Sequence, residues 1–147
     1  MDKKAVIVSF IGTQDDGHEN DKIELVTEGA YYKKGESYYI TYDESSLTGM
    51  DGTTTTVKVE DNKRITLMRY GKNNTQLVFE KGQNHVCAYE TEHGSFFVGV
   101  RSRNVLVNLD DFGGEISAKY QLEINNGVVG QNDFYMNIKE QQTERIG

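Results

Sequence analysis

Apolar and polar residues alternate with a period of two along most of the chain between Thr53 and Lys139. Successive side chains of a β-strand point to opposite sides, so this period indicates strands with one buried face. Turn residues interrupt the alternation about every eight to twelve residues, as between antiparallel hairpins. The pattern predicts strands at 3–12, 21–33, 37–44, 53–60, 63–70, 75–81, 85–91, 95–109, 115–125 and 132–139.

The predicted connections fall at two ends of the molecule, one with mostly tight turns and one with several longer loops. A sheet with this many strands tends to close on itself, because closure removes exposed edges. The sequence therefore predicts an all-β protein built as a single antiparallel meander β-barrel. We expect the barrel domain to span residues 1–140 and residues 141–147 to form a frayed tail.

The apolar positions change parity within the long eighth strand. They are even at Phe96, Val98 and Val100 but odd at Val105, Val107 and Leu109. A strand keeps the same face buried through such a change only if one extra residue is inserted. We therefore predict a β-bulge or bend between Arg101 and Asn104, which either forms a corner of the barrel or redirects Arg101 and Arg103 toward a site.

The net charge of −7 argues against a nucleic-acid partner, because phosphate binding needs a concentrated positive surface. The short apolar run at 5–11 leads into Asp15 and Asp16 without a cleavage site, so it reads as a strand and not as a signal peptide. No stretch reaches membrane-spanning length. We expect a cytoplasmic protein, a monomer or weak homodimer, without a nucleic-acid or membrane partner.

A single cysteine, Cys87, excludes an internal disulfide. The apolar parity of its strand, set by Val86 and Ala88, predicts that Cys87 faces outward as an inert residue. The histidines His18, His85 and His93 lack metal-ligand spacing, and no nucleotide-binding or nucleophile motif is present. We therefore expect no metal, no cofactor and no known catalytic motif.

Several segments carry a resemblance to a known family. They are 38–44, 47–50, 53–56, 69–71, 79–82, 89–91 with Gly94, 113–116 and 120–122. In this order and spacing the chain resembles the YwiB-like bacterial proteins, a family of unknown function with a calycin-like (lipocalin-like) β-barrel. The resemblance implies that fold and a cytosolic bacterial setting. It transfers no catalytic residue.

A set of polar residues continues the buried parity of neighbouring strands toward the open end. The candidate ligand-binding residues are Tyr42, Glu44, Thr53, Thr55, Arg69 and Glu90. We predict that Arg69 points into the mouth of the barrel within reach of Glu44 or Glu90. Such a group suits a ligand site with an apolar wall and a few placed polar groups. The alternative is a structural ion pair that satisfies buried polarity at the rim.

Three functions remain open at this point. The first is a non-catalytic barrel that binds a small, partly apolar molecule. The second is an assembly module with a filled barrel, whose contact face is the tyrosine-rich hairpin that carries Tyr31, Tyr32, Tyr38, Tyr39 and Tyr42. The third and weakest is an enzyme that uses Glu44 or Glu90 as an acid or base beside Arg69. Interior volume discriminates between the first two, since a ligand needs a cavity.

Overall fold

The computed structural model describes residues 3–15, 20–45, 51–71, 74–91, 94–125 and 127–141, without the side chains of Asn20 and Thr91. The strands in these ranges are β1 (Lys4–Asp15), β2 (Asn20–Lys34), β3 (Ser37–Asp43), β4 (Thr53–Glu60), β5 (Arg64–Gly71), β6 (Asn74–Glu80), β7 (Asn84–Thr91), β8 (Gly94–Asp110), β9 (Gly113–Ile124) and β10 (Gly127–Glu140). No helix among the described residues is long and apolar enough to cross a membrane.

The ten strands form one closed antiparallel barrel in which each strand pairs with its neighbours in the chain. Pairing between β1 and β10 closes it, with Val6 opposite Glu140 and Asp15 opposite Gln131. The β2–β3, β4–β5, β6–β7 and β8–β9 turns lie at what we call the closed end, and β1, β3, β5, β7 and β9 finish at the open end. The predicted all-β meander barrel is confirmed.

Two strands extend further at the open end than the alternation predicted. Residues 13–15 continue β1, although their polarity predicted a loop, and β10 begins at Gly127 instead of near 132. Both extensions are held by backbone pairing, which polar and glycine residues can make as well as apolar ones. Of the predicted tail, residues 142–147 lie outside the described part of the chain.

The predicted bulge in β8 is confirmed. Ser102 lies opposite Tyr120 and Asn104 lies opposite Lys119, so Arg103 is the extra residue in the register between β8 and β9. Before the bulge the buried side chains, Val98, Val100 and Ser102, lie at even positions, and after it the odd positions face the core. The bulge leaves Arg103 exposed on the outer surface.

The closed end is filled by a tyrosine pair. The rings of Tyr31 and Tyr38 stack with their centroids 5.4 Å apart. The Tyr31 hydroxyl donates to the backbone carbonyl of Asp110 at 2.6 Å, and the Tyr38 hydroxyl donates to Oδ1 of Asp111 at 3.0 Å. Burial, followed by the charge of Tyr38 and of the two aspartates, raises the pKa of Tyr31. This end therefore satisfies its polar groups with the β8–β9 turn.

The predicted inward face of β7 is wrong. Val86 is 66% exposed and Ala88 is also exposed, whereas Cys87 is half-buried opposite the buried Val98. Cys87 therefore lies on the inner side, where burial raises the pKa of its thiol. The register of β7 follows its pairing with β8 along its whole length, because β6 contributes only the pairs Asn74–Glu90 and Thr75–Tyr89. Hydropathy within β7 alone does not determine which face is buried.

Candidate functional site

A cavity of about 310 Å³ lies inside the barrel at its open end. Its apolar wall includes Phe10, Ile23, Leu25 and Phe134, and three tyrosines, Tyr42, Tyr89 and Tyr120, add amphipathic surface. Its polar lining includes Gln14, Asp21, Glu44, Arg69 and Asn132. This combination of an apolar wall with a few polar groups is typical of small-molecule sites, and the volume lies at the lower end of their range.

Aromatic rings form the inner part of the apolar wall. The Phe134 ring lies 6.0 Å from that of Phe10 and 5.1 Å from that of Phe79, and the Phe79 ring lies 4.7 Å from that of Tyr120. These residues continue the buried parity of four different strands, which is why they meet inside the barrel. The cavity therefore has a base of packed aromatic rings next to the core.

The predicted contact between Arg69 and Glu44 is present. Arg69 lies opposite Thr55 in the β4–β5 pair, and its Nε is 4.0 Å from Oε1 of Glu44. The backbone N–H of Glu44 donates to the carbonyl of Thr53 at 2.8 Å, which fixes Glu44 just beyond the end of β3. Neighbouring strands thus bring the two charges together at the same height in the barrel.

Glu44 is held mainly by groups other than the arginine. Its side chain is only 1% exposed, and Thr55 Oγ1 donates to its Oε1 at 2.6 Å. Tyr42 is also hydrogen-bonded to Glu44 and Thr55, and burial together with the Glu44 charge raises the pKa of the Tyr42 phenol. The two hydroxyl groups therefore stabilise the buried carboxylate directly.

Arg69 keeps a hydrogen-bonding capacity that the described residues do not use. Its side chain is 14% exposed, and its buried Nε has no hydrogen-bond acceptor in the described part of the chain. Burial raises the pKa of Tyr120 to about 12, and the positive charge of Arg69 acts against that rise. An unpaired buried N–H is costly, and an acceptor placed beside it removes that cost.

The six predicted site residues have different positions. Tyr42, Glu44 and Arg69 line the cavity. Thr55 lies behind Glu44, and Thr53 contributes its carbonyl while its buried hydroxyl has no hydrogen-bond partner among the described residues.

The expectation for Glu90 is wrong. Glu90 is exposed opposite Ser95, because the inward face of β7 carries Tyr89 instead. It therefore cannot take part in the group around Arg69.

Other cavity residues were not predicted from the sequence. Tyr120 and Asn132 continue the buried parity of Ile116 and Ala118 on β9 and of Phe134 on β10, so the same parity rule could have found them. Asp21 continues the parity of Ile23 and Leu25 on β2, so this rule could have found it as well. Tyr89 carried no such signal, because β7 lacks clear hydropathic contrast.

The described residues contain no group of three His, Cys, Asp or Glu side chains that could hold a metal ion. His18 and His93 lie outside them, as does most of the loop that follows β3.

Fold and site together define a closed antiparallel β-barrel with an internal cavity at one end. A family described as a domain of unknown function (DUF1934) matches residues 8–136, and the chain belongs to this family. It is 28% identical over 111 residues to the uncharacterized beta-barrel protein YwiB of Bacillus subtilis (strain 168), a match that covers 76% of this chain and 75% of that relative.

The fold is also similar to the crystal structure of the YwiB protein from Bacillus subtilis. The TM-score is 0.84 at 20% identity, and the match covers 95% of this chain and 94% of the other. The family resemblance seen in the sequence is therefore confirmed, together with the barrel fold. The calycin-like description of the barrel stays an interpretation.

Proposed function

We propose that this protein is a non-catalytic barrel that binds a small, partly apolar molecule in the cavity at its open end. The observation that carries the proposal is the cavity of about 310 Å³ whose wall includes the Nε of Arg69, which has no hydrogen-bond partner in the part of the chain that the structure describes. An apolar body would pack against the rings of Phe10 and Phe134, where its removal from water supplies binding energy.

The charges inside the cavity restrict the polar part of such a molecule. The positive charge of Arg69 is partly offset by Glu44 at 4.0 Å, so the interior has little capacity to neutralise a further full charge. A neutral oxygen can accept a hydrogen bond from Nε without that requirement. We therefore expect the buried end of the molecule to be apolar with a neutral acceptor.

The assembly alternative receives less support from the tyrosine-rich hairpin. Tyr31 and Tyr38 stack at the closed end, and on the outer face Tyr32 and Tyr39 stack at 5.1 Å. The ammonium groups of Lys3 and Lys58 lie 5.0 Å and 5.8 Å from the outer rings. Cross-strand pairing therefore accounts for these rings without a protein partner.

The enzyme alternative loses one of its two candidate residues, because Glu90 faces outward. The other, Glu44, accepts a hydrogen bond from Thr55 and is hydrogen-bonded to Tyr42, which suits a structural carboxylate better than a proton-transfer group. Cytoplasmic location and a monomeric or weakly dimeric state stay predictions.

Native mass spectrometry of protein purified from the organism that encodes it tests the proposal. Ile23 lines the cavity and is 45% exposed, so Ile23→Trp blocks the mouth with little disturbance of the core. Val26 on the outer face of the same strand is 70% exposed, and Val26→Trp is the matched control. We expect a retained small molecule in the parent and in the control, and none in Ile23→Trp. Retention that is equal in all three proteins contradicts the proposal.

A further inference from the structure

One wall of the cavity carries three flat side chains at the same height. Tyr42 on β3, Arg69 on β5 and Tyr89 on β7 all line the cavity. The strand register joins them into one row, with Tyr42 opposite Thr55, Thr55 opposite Arg69, Arg69 opposite Thr75 and Thr75 opposite Tyr89. The small threonines on β4 and β6 therefore alternate with two phenol rings and a guanidinium group, each of which is planar.

The facing wall of the cavity is aromatic. β10 lies five strands from β5 in either direction around the barrel, so Phe134 on β10 lies across from Arg69. The Phe134 ring stacks on that of Phe10 with the centroids 6.0 Å apart, and it meets the ring of Tyr120 edge to face at 6.4 Å. All three rings belong to residues that line the cavity. Flat π-systems therefore border the cavity on both sides.

Aliphatic surface in the cavity is limited to one strand. Among the described residues that line it, Ile23 and Leu25 are the aliphatic ones, and both lie on β2. An alkyl chain gains there by leaving water, but it loses rotational freedom when it becomes ordered. A flat ring loses little of that freedom, and it gains further from contacts with other rings and from stacking on a guanidinium group. The lining thus favours a flat ring over an alkyl chain.

The cavity volume sets the size of the ring system. A cavity of roughly 150 Å³ in another protein holds one benzene ring, and this cavity has about 310 Å³. Resting on the function proposed above, we propose that the bound molecule is a flat aromatic compound the size of two fused rings with a neutral oxygen. The rings lie between the two walls, and the oxygen accepts a hydrogen bond from Arg69, whose Nε has no partner among the described residues.

Isothermal titration calorimetry with three methyl ketones that have the same number of non-hydrogen atoms tests this proposal. The probes are 2-acetylnaphthalene, which is flat and aromatic, 2-acetyldecalin, in which the same two rings are saturated, and 2-dodecanone, which is a linear chain. We expect 2-acetylnaphthalene to bind at least about fivefold more tightly than either saturated ketone. Hydrophobic burial alone predicts the opposite order, since the saturated ketones are more apolar. Equal affinities, or tighter binding of a saturated ketone, overturn the proposal.

Two double variants locate the source of the preference. Phe10→Leu/Tyr89→Leu removes one ring from each wall but keeps both positions apolar, and it should reduce the preference for 2-acetylnaphthalene to within about twofold. The control Tyr70→Leu/Phe97→Leu makes the same exchanges on the outer face, where the two residues are 57% and 67% exposed, and it should leave the preference unchanged. Continued binding of 2-acetyldecalin shows that the first double variant keeps its fold. A preference that survives in that variant, or that falls equally in both, overturns the proposal.

Ile23→Trp separates failure of the aromatic-ligand proposal from failure of the proposed function. If the three ketones bind the parent equally and Ile23→Trp abolishes their binding, the cavity binds apolar molecules and only the aromatic-ligand proposal fails. If Ile23→Trp leaves the binding of all three unchanged, they bind outside the cavity and both proposals fail. If no ketone binds the parent, the aromatic-ligand proposal fails, and native mass spectrometry decides the proposed function independently. Support for both requires loss of binding in Ile23→Trp together with the preference for the aromatic ketone.

Discussion

The two ends of the barrel use the same kinds of residue in different ways. At the closed end, Tyr31 and Tyr38 donate to Asp110 and Asp111 and stack on each other, so rings fill the space. At the open end, Tyr42, Tyr89 and Tyr120 border a cavity beside a partly compensated charge pair. The tyrosine hydroxyls at the closed end are paired with the chain's own groups, whereas the open end has space and a donor, Arg69 Nε, without a partner among the described residues.

The comparison separates structural polarity from polarity that is available to a ligand. Tyrosines and acidic residues occur at both ends, so residue type alone does not identify a site. The difference is the hydrogen-bond partner: the hydroxyls of Tyr31 and Tyr38 have one, whereas the Nε of Arg69 has none among the described residues. An incomplete polar group beside open volume is the feature that points to binding.

Truncating one tyrosine at each end tests the difference most strongly. Tyr31→Ala should lower the free energy of unfolding by about 4 kcal/mol, because it leaves a cavity in the filled end. Tyr89→Ala should cost only about 1–2 kcal/mol, because Tyr89 is half-buried and already borders open volume. Urea unfolding measures both values. Equal losses would show that the open end is packed as tightly as the closed one.

Removing the arginine tests the polar group at the open end. Arg69→Ala should lower the free energy of unfolding by about 3 kcal/mol, because Glu44 stays buried without its cation. Adding Glu44→Leu should recover part of that loss, since no buried charge then remains. A double-mutant cycle in urea measures the coupling. A loss below about 1 kcal/mol in Arg69→Ala would indicate that water reaches the pair.

Alkaline pH should destabilise the protein through phenols at both ends. Burial raises the pKa of Tyr120 to about 12 and raises the pKa of Tyr42 and Tyr31, so the folded state keeps protons that the unfolded chain loses above about pH 10. The free energy of unfolding should therefore be unaffected by these groups below pH 10. It should fall between about pH 10 and 12, by up to about 1.4 kcal/mol per pH unit for each phenol.

Urea unfolding at several alkaline pH values measures that slope, with tyrosinate absorbance as a direct readout. Tyr42→Phe should reduce the slope at the open end and Tyr31→Phe at the closed end. If neither substitution changes the slope, groups other than these phenols cause the decrease in the free energy of unfolding at alkaline pH.

The smallest expected effect concerns a single hydrogen bond at the closed end. Tyr38→Phe removes the bond to Asp111 but keeps the ring stacked on Tyr31. Because this bond is solvent-exposed, we expect a loss of about 0.5–1 kcal/mol. Thermal unfolding of Tyr38→Phe and of Tyr31→Phe compares this bond with that of the Tyr31 hydroxyl, which is less exposed. A larger loss for Tyr38→Phe than for Tyr31→Phe would contradict this account of the closed end.

The barrel could be predicted because the alternation of apolar and polar residues that marks its strands is local in the sequence and repeats from strand to strand. Period-two alternation locates the strands, and the parity change in β8 locates the bulge at Arg103. The ends of β1 and β10 were less predictable, because backbone pairing across the rim holds polar residues in the ladder there. That pairing depends on neighbouring strands, which local sequence does not contain.

The candidate site was predictable only where a strand has clear hydropathic contrast. Parity correctly oriented Arg69 and Glu44 because Leu67 and Tyr42 mark the buried faces of their strands. It failed for Glu90, because both faces of β7 mix apolar and polar residues and β8 sets the register. The cavity volume itself depends on how rings from distant strands pack, which the alternation pattern does not encode.

The pairing of β1 with β10 has a consequence for how the protein folds. Val6 lies opposite Glu140 and Ile7 opposite Lys139 in the β1–β10 pair. Barrel closure therefore joins residues that are more than 130 positions apart in the sequence. Such distant pairings carry a large loop-closure entropy and slow folding. During synthesis, β1 can form a hairpin with β2 early but must keep its other edge unpaired until β10 has emerged. In that interval the nascent chain carries an exposed strand edge, which makes it a candidate for chaperone protection.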